Sequence, residues 1–278
     1  MSRQGLKAMR QGDWTMAETL FADALEVSDE NDAAHRGLAE AYWQKGESSR
    51  AIEHLEKAVQ RSAGDPKQMQ RLGEMYLETG RLDDAKRQCE IALRTERDYA
   101  PLWALWGDCH FEQRRNERAL EAYHRALALQ PQYPHVQLQV AEIYLQQNRH
   151  DRLLATLDRL PEAMEPRMPG QANDRIRPGR ADCLRGIAMR VLDRPDEAAR
   201  FFERAIQKEP GDVTPRLHLA SLALQRGQAQ KANELLASAM AIDPDGVRAQ
   251  RGYPTGLDAD AATAASLAVR PDTEDKNR

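Results

Sequence analysis

A pattern that returns every thirty-four residues restricts this chain more than any other feature. The stretch from Ala100 to Tyr133 carries it most plainly: Trp103, Trp106, Gly107 and His110, then Ala119, Tyr123 and Ala126, then Pro131. The same order lies before and after it. Small residues recur at Gly5, Ala39, Gly73, Gly107, Ala141, Gly186 and Ala220, and larger ones at Phe21, Leu55, Cys89, Tyr123, Leu157, Phe202 and Leu236. A period of this length signals repeated supersecondary units, each too small to bury its apolar face alone and therefore stacked on its neighbours.

Each unit reads as two helices. In the second, small residues flank the large one: Ala17 and Ala24, Ala51 and Ala58, Ala85 and Ala92, Ala119 and Ala126, Ala198 and Ala205, Ala232 and Ala239. The fifth unit departs, with Leu153 and Leu160. Spacings of four and then three put all three positions on one helical face, which is the core face. Gly12, Gly46, Gly80 and Gly227, with Asn148, stand at the turn between helices, where a left-handed residue ends the first one. Arg114 and Asp193 occupy the same place and suit it less well. Pro66, Pro101, Pro131, Pro134, Pro210, Pro215 and Pro244 punctuate the boundaries between helices. Thirteen or fourteen helices and no strands are expected.

The order Trp, Leu-Gly, Tyr, Ala, Phe, Pro is the signature of the tetratricopeptide repeat, and the Ala100 to Tyr133 stretch resembles it. The resemblance implies an all-α fold, a right-handed superhelical solenoid of about seven helix-turn-helix repeats. Repeats fall near 1–31, 32–65, 66–99, 100–133, 134–167, 179–212 and 213–246. Residues 1–160 thus form repeats one to five, and the register places the start of the first helix about two residues before Met1, so the first repeat looks clipped. A targeting segment or further repeats upstream would fit. Residues 161–178, with four prolines, interrupt the array as an insertion or hinge, and 179–246 form repeats six and seven. From 247 to 278 a tail is expected, with Leu257 to Val269 composed for one short capping helix.

Composition narrows the function classes. Hydrophobic residues make up 41% and aromatic ones 5%, with 30% charged, which suits a helical protein in water. A formal charge of −4 gives no electrostatic footprint for nucleic acid. Cys89, Cys109 and Cys183 are odd in number and far apart, which fits neither a disulfide framework nor a zinc site. No apolar run approaches the eighteen or so residues that a membrane helix needs, and no export signal is recognisable. A cytoplasmic location is the default, and an exported form follows if the true start lies upstream.

Asp108, Cys109 and His110 are adjacent and invite a catalytic reading. Consecutive helical residues point about 100° apart, so the three cannot converge on one atom. No phosphate loop, nucleophile elbow or His pair at metal-ligand spacing accompanies them. Neither an enzymatic activity nor a cofactor or metal is expected.

In the tetratricopeptide family the first helices of successive repeats line a concave groove that holds peptides. On the corresponding positions this chain places Glu40, Glu74, Asp108 and Glu142, with Glu78 and Glu112 four residues after Glu74 and Asp108. Three residues after each of the first four come Trp43, Leu77, Phe111 and Leu145. Acidic and apolar lines side by side suit a basic, partly apolar segment, its arginines taken by carboxylates or laid over Trp43 and Phe111. The competing reading is a solvated face, with Glu40 spent on Arg36 and Glu74 on Arg71, while Asp108 and Glu142 have no basic neighbour in their own helices. One family subgroup grips the acidic carboxy terminus of chaperones with Lys and Asn residues. Lys67 and Arg71 match part of that clamp, but Ser2, Leu6 and Gly37 do not, and the adjacent Glu residues oppose an acidic guest.

The leading expectation is a non-catalytic scaffold or adaptor that binds a protein or peptide in this groove. A structural subunit that uses its convex faces or its ends is the alternative. A third is the repeat portion of a longer enzyme or exported protein.

Overall fold

The computed structural model describes residues 2–61, 65–160, 177 and 179–249. Among them there are fifteen helices and no strand. The helices come as hairpins on the expected register: α1 (Ser2–Arg10) with α2 (Trp14–Val27), α3 (Asp32–Gln44) with α4 (Ser48–Arg61), α5 (Pro66–Glu78) with α6 (Leu82–Thr95), and α7 (Ala100–Glu112) with α8 (Asn116–Leu129). Then follow α9 (Pro134–Gln146) with α10 (His150–Leu157), α11 (Arg180–Val191) with α12 (Pro195–Lys208), and α13 (Thr214–Gln225) with α14 (Ala229–Ile242). A short α15 (Pro244–Ala249) ends the described chain, one helix more than the pattern predicts. The insertion expected over 161–178 falls outside the described residues except for Arg177, and the capping helix expected over 257–269 falls wholly outside them.

Two compact units divide the chain, Met1–Val136 and Gln137–Arg278, so the boundary runs through α9. In the first unit each hairpin packs on the next, through α2 on α3, α4 on α5 and α6 on α7, and first helices also touch along the array, α1 on α3 and α5 on α7. In the second unit α10 meets α11, α12 meets α13, and α11 also reaches α13.

Local signals explain where the helices begin and end. Asp13, Asn31 and Asp65 cap α2, α3 and α5, each side chain accepting a hydrogen bond from a backbone N–H of the first turn at 3.0–3.1 Å. Pro66 starts α5, where its missing N–H costs nothing. All seven expected turn positions have positive φ: 70–79° at the four glycines, and 56° at Arg114, Asn148 and Asp193.

The core is the predicted face. Phe21, Leu55, Cys89, Tyr123, Leu157, Phe202 and Leu236 are each no more than 4% exposed. Burying a side chain such as Phe or Leu stabilises by roughly 1.5–3 kcal/mol, so the hydrophobic contribution is spread evenly along the array. Close helix approach explains the small residues opposite them. A Cβ built on Gly107 would stand 2.4 Å from the Tyr123 ring, and one on Gly186 would stand 2.6 Å from the Phe202 ring.

Candidate functional site

The α3 and α5 parts of the expected face form one connected polar network within the first unit. Arg71, on α5, reaches across to α3 and donates to both carboxylate oxygens of Glu40 at 3.1–3.3 Å. Another nitrogen of the same guanidinium stands 3.6 Å from Glu74. The group lies over the Trp43 ring, 5.5 Å from its centroid, within range of a cation–π contact. Gln70 donates to Glu74 at 2.7 Å, and Tyr99 donates to Gln70 at 2.9 Å. The expectation that Glu40 pairs with Arg36 inside α3 is corrected: its ion-pair partner comes from the neighbouring repeat.

Asp108 also departs from expectation. Its spacing left it without a basic neighbour in α7 and cast it as a free member of the acidic line. It is instead 6% exposed. The Tyr123 hydroxyl donates to it at 2.8 Å, and His135 Nε2 stands 3.1 Å from each carboxylate oxygen. A carboxylate this deep needs partners, because a buried charge left unpaired is costly. Asp108 therefore joins α7, α8 and the start of α9 rather than offering itself to a ligand.

Its neighbours in sequence turn to separate tasks. Cys109 is buried against Cys89, and that hydrogen bond together with burial pushes the Cys89 thiol well above its usual range. The Cys89 thiol therefore stays protonated and unreactive. His110 stacks edge-on against Trp106, with ring centroids 4.8 Å apart. Among the described residues, no three His, Cys, Asp or Glu side chains are grouped to hold a metal.

The apolar line is present but recessed. Leu77 is buried in the core cluster, and Trp43 and Phe111 are half-buried. Glu78 and Glu112 are the exposed acids of the set. In the second unit Glu142 pairs with Arg180 at 2.8 Å, and Leu145 is half-buried. Glu142 thus has a basic partner thirty-eight residues on, which its own helix did not reveal.

The residues that sequence reasoning missed are these partners: Arg71 for Glu40, Tyr123 and His135 for Asp108, Arg180 for Glu142. A signal for them exists. Neighbouring first helices meet at separations near one repeat length, and Glu40 to Arg71 is thirty-one residues while Asp108 to His135 is twenty-seven. Searching only three and four residues away, along one helix, passes over that relation.

Comparison with known proteins agrees with this architecture. Tetratricopeptide repeat profiles match residues 2–66, then 46–107, 110–167 and 192–252 with a second profile, and 179–204 with a third. Tetratricopeptide repeat protein 21A of Homo sapiens is 25% identical over 187 residues, which are 67% of this chain and 14% of that protein. The photosystem I assembly protein Ycf3 of Synechococcus sp. (strain CC9605) is 28% identical over 104 residues, 36% of this chain and 60% of the relative. The chain therefore spans less than two thirds of either relative. Among solved structures, the hetero-tetramer Cut9–Hcn1 of APC/C superposes with a TM-score of 0.71 at 13% identity, over 96% of this chain and 48% of that one, a likeness of fold. No described helix is long and apolar enough to cross a membrane. Since one repeat profile alone matches more than half of its length, the chain belongs to the tetratricopeptide repeat family.

Proposed function

We propose that this protein is an interaction scaffold whose first-helix face, in repeats two to four, holds a partner segment that is basic and partly apolar. Tetratricopeptide repeat proteins generally serve as protein-interaction scaffolds, and the chain's membership sets that general role. The finer reading rests on one observation. Arg71 already sits on this face as a guest arginine would, its guanidinium over Trp43 and between the carboxylates of Glu40 and Glu74. A surface that accommodates one guanidinium in this way has the acceptors and ring to take another beside it.

The contacts offered to a partner are Glu74, Glu78 and Glu112, with Trp43 and Phe111 as apolar ground, while Leu77 stays in the core. Glu40 contributes by holding Arg71, and Asp108 by fixing Tyr123 and His135 beneath the face. Glu142 and Leu145 belong to the second unit and are not part of this face.

The test uses exposed positions so that folding is not at stake. Labelled twelve-residue peptides of Arg and Leu, and their Glu and Leu counterparts, are titrated by fluorescence anisotropy against the full chain and the Glu78→Lys, Glu112→Lys double variant. The basic peptides should bind, lose about tenfold in affinity to the double variant, and weaken as salt rises through the physiological range. Failure of the basic peptides to bind, or indifference of their binding to the charge reversal, would rule the reading out.

A further inference from the structure

A cleft of about 810 Å³ lies within the first unit between α6 and α8, floored by Trp103, Trp106 and His110 of α7. Its volume falls in the range of roughly 300–1,000 Å³ that ligand sites occupy. At 100° per residue, the floor residues stand on the side of α7 roughly opposite Asp108, Phe111 and Glu112. The cleft is therefore a separate surface from the first-helix face.

Its charge is the reverse of the chain's. Lys86, Arg115, Arg118 and Arg125 line it, against Glu90 and Glu121 alone, in a protein whose formal charge is −4. Arg115, Arg118 and Arg125 form no ion pair among the described residues, and Lys86 meets only the exposed Asp83, at 3.0 Å. His110 reports the same excess. It is 4% exposed and its Nδ1 has no hydrogen-bond partner, while burial first, then Arg118, Arg115 and Lys86, push its pKa down.

The floor is apolar and fixed. The Trp103 indole N–H donates to the Arg97 carbonyl at 2.7 Å, and Trp106 packs on the core cluster beneath it. Both rings are half-buried, so part of each remains open. Stiff aromatic ground flanked by unpaired guanidinium groups is the composition at which protein contacts concentrate their binding energy.

We propose that this cleft receives an acidic segment of a partner protein bearing an aromatic or large aliphatic side chain. The apolar side chain rests against Trp103 and Trp106, and flanking carboxylates take Arg115, Arg118 and Arg125 in paired hydrogen bonds. Arg115 to Arg125 spans about 15 Å of helix, which about four or five extended residues cover. A polypeptide suits the site better than a nucleic acid. Phosphodiester chains need a continuing basic track, whereas here Glu90 and Glu121 stand in the walls and the net negative chain lies beyond.

The experiment titrates the full chain, by calorimetry and by tryptophan fluorescence, with four probes. They are a ten-residue Asp- and Glu-rich peptide with a central Phe, the same peptide with Lys for each acid, the same with Ser for Phe, and a single-stranded oligodeoxynucleotide. The acidic Phe peptide should bind and perturb the fluorescence, the Ser peptide and the oligonucleotide should bind at least about tenfold more weakly, and so should the Lys peptide once Glu78→Lys and Glu112→Lys have reversed the first-helix face. Arg118→Glu with Arg125→Glu should weaken the acidic peptide by about tenfold or more with helical circular dichroism unchanged, and Glu121→Arg should strengthen it severalfold. Glu78→Lys with Glu112→Lys should leave it unaffected, which separates this site from the first-helix face. The proposal fails if the acidic peptide does not bind, if the Lys peptide binds the Glu78→Lys, Glu112→Lys variant equally well, or if the arginine reversals change nothing. It fails too if the oligonucleotide proves the tighter ligand through the same arginines.

Discussion

At Asp108 one carboxylate is shared by Tyr123 from α8 and His135 from the start of α9. That sharing makes it a poor probe of ligand binding and a good probe of stability. Replacing it with Ala removes a hydrogen-bond partner from a buried hydroxyl and from a buried imidazole nitrogen, and a partner lost at a buried polar group costs about 1–3 kcal/mol. Tyr123→Phe removes one donor and leaves the carboxylate its histidine, a loss of about 1 kcal/mol. Urea denaturation of the two variants should place Asp108→Ala well below Tyr123→Phe. If the Ala variant lies within about 0.5 kcal/mol of the parent, a size typical of surface substitutions, the cluster is not holding these helices together. Glu40 is a different case, because its pair with Arg71 is about a quarter exposed on each side. Pairs of that kind are worth roughly 0–1 kcal/mol, so their loss alters the surface more than the fold.

At the level of helices and turns, each hairpin requires its first helix to end on one left-handed residue. Gly12, Gly46, Gly80 and Gly227 meet that requirement without strain, whereas Arg114 is held at φ 56°. A left-handed residue with a Cβ costs about 1–2 kcal/mol, part of which glycine returns through its greater freedom when unfolded. Arg114→Gly should therefore raise stability by roughly 0.5–1 kcal/mol. Arg115→Gly, one residue on and at φ −91°, should not raise it, and thermal melts of the pair decide the matter. A gain at both positions would mean that backbone conformation is not the cause. These turns also show what could be read beforehand. Gly, Asn and the alternation of Ala with one large residue are local demands of a hairpin, so the sequence displays them at fixed offsets and the helices fall where expected. Arg71 with Glu40, and His135 with Asp108, answer demands between repeats. Nothing in either helix alone announces them, and the face looked more acidic in sequence than its pairing leaves it. The cleft above α7 was hidden for a related reason. Trp103 and Trp106 match the repeat signature as packing residues, and only the placement of Arg118 and Arg125 across from them shows that their outer edges face cations.

Across the whole molecule, contacts run between helices that follow one another or sit two apart, as α5 with α7 and α11 with α13. Stability in such an array is approximately a sum of unit and nearest-neighbour contributions, so damage to one unit should remain near it. Gly107 offers a local wound, since there is no room for even one methyl group beside Tyr123. Gly107→Val places a branched side chain there and should cost at least the roughly 1–3 kcal/mol typical of overpacking. Native-state amide exchange reads the consequence helix by helix. Protection should fall most in α7 and α8 and next in α5 and α6, the helices that pack directly on them. In α11 to α14, which pack among themselves, it should change little. A uniform fall across all these helices would show a single cooperative fold and overturn the nearest-neighbour account. A fall confined to the first unit would mean that either proposed surface of repeat four can be altered while repeats six and seven keep their structure.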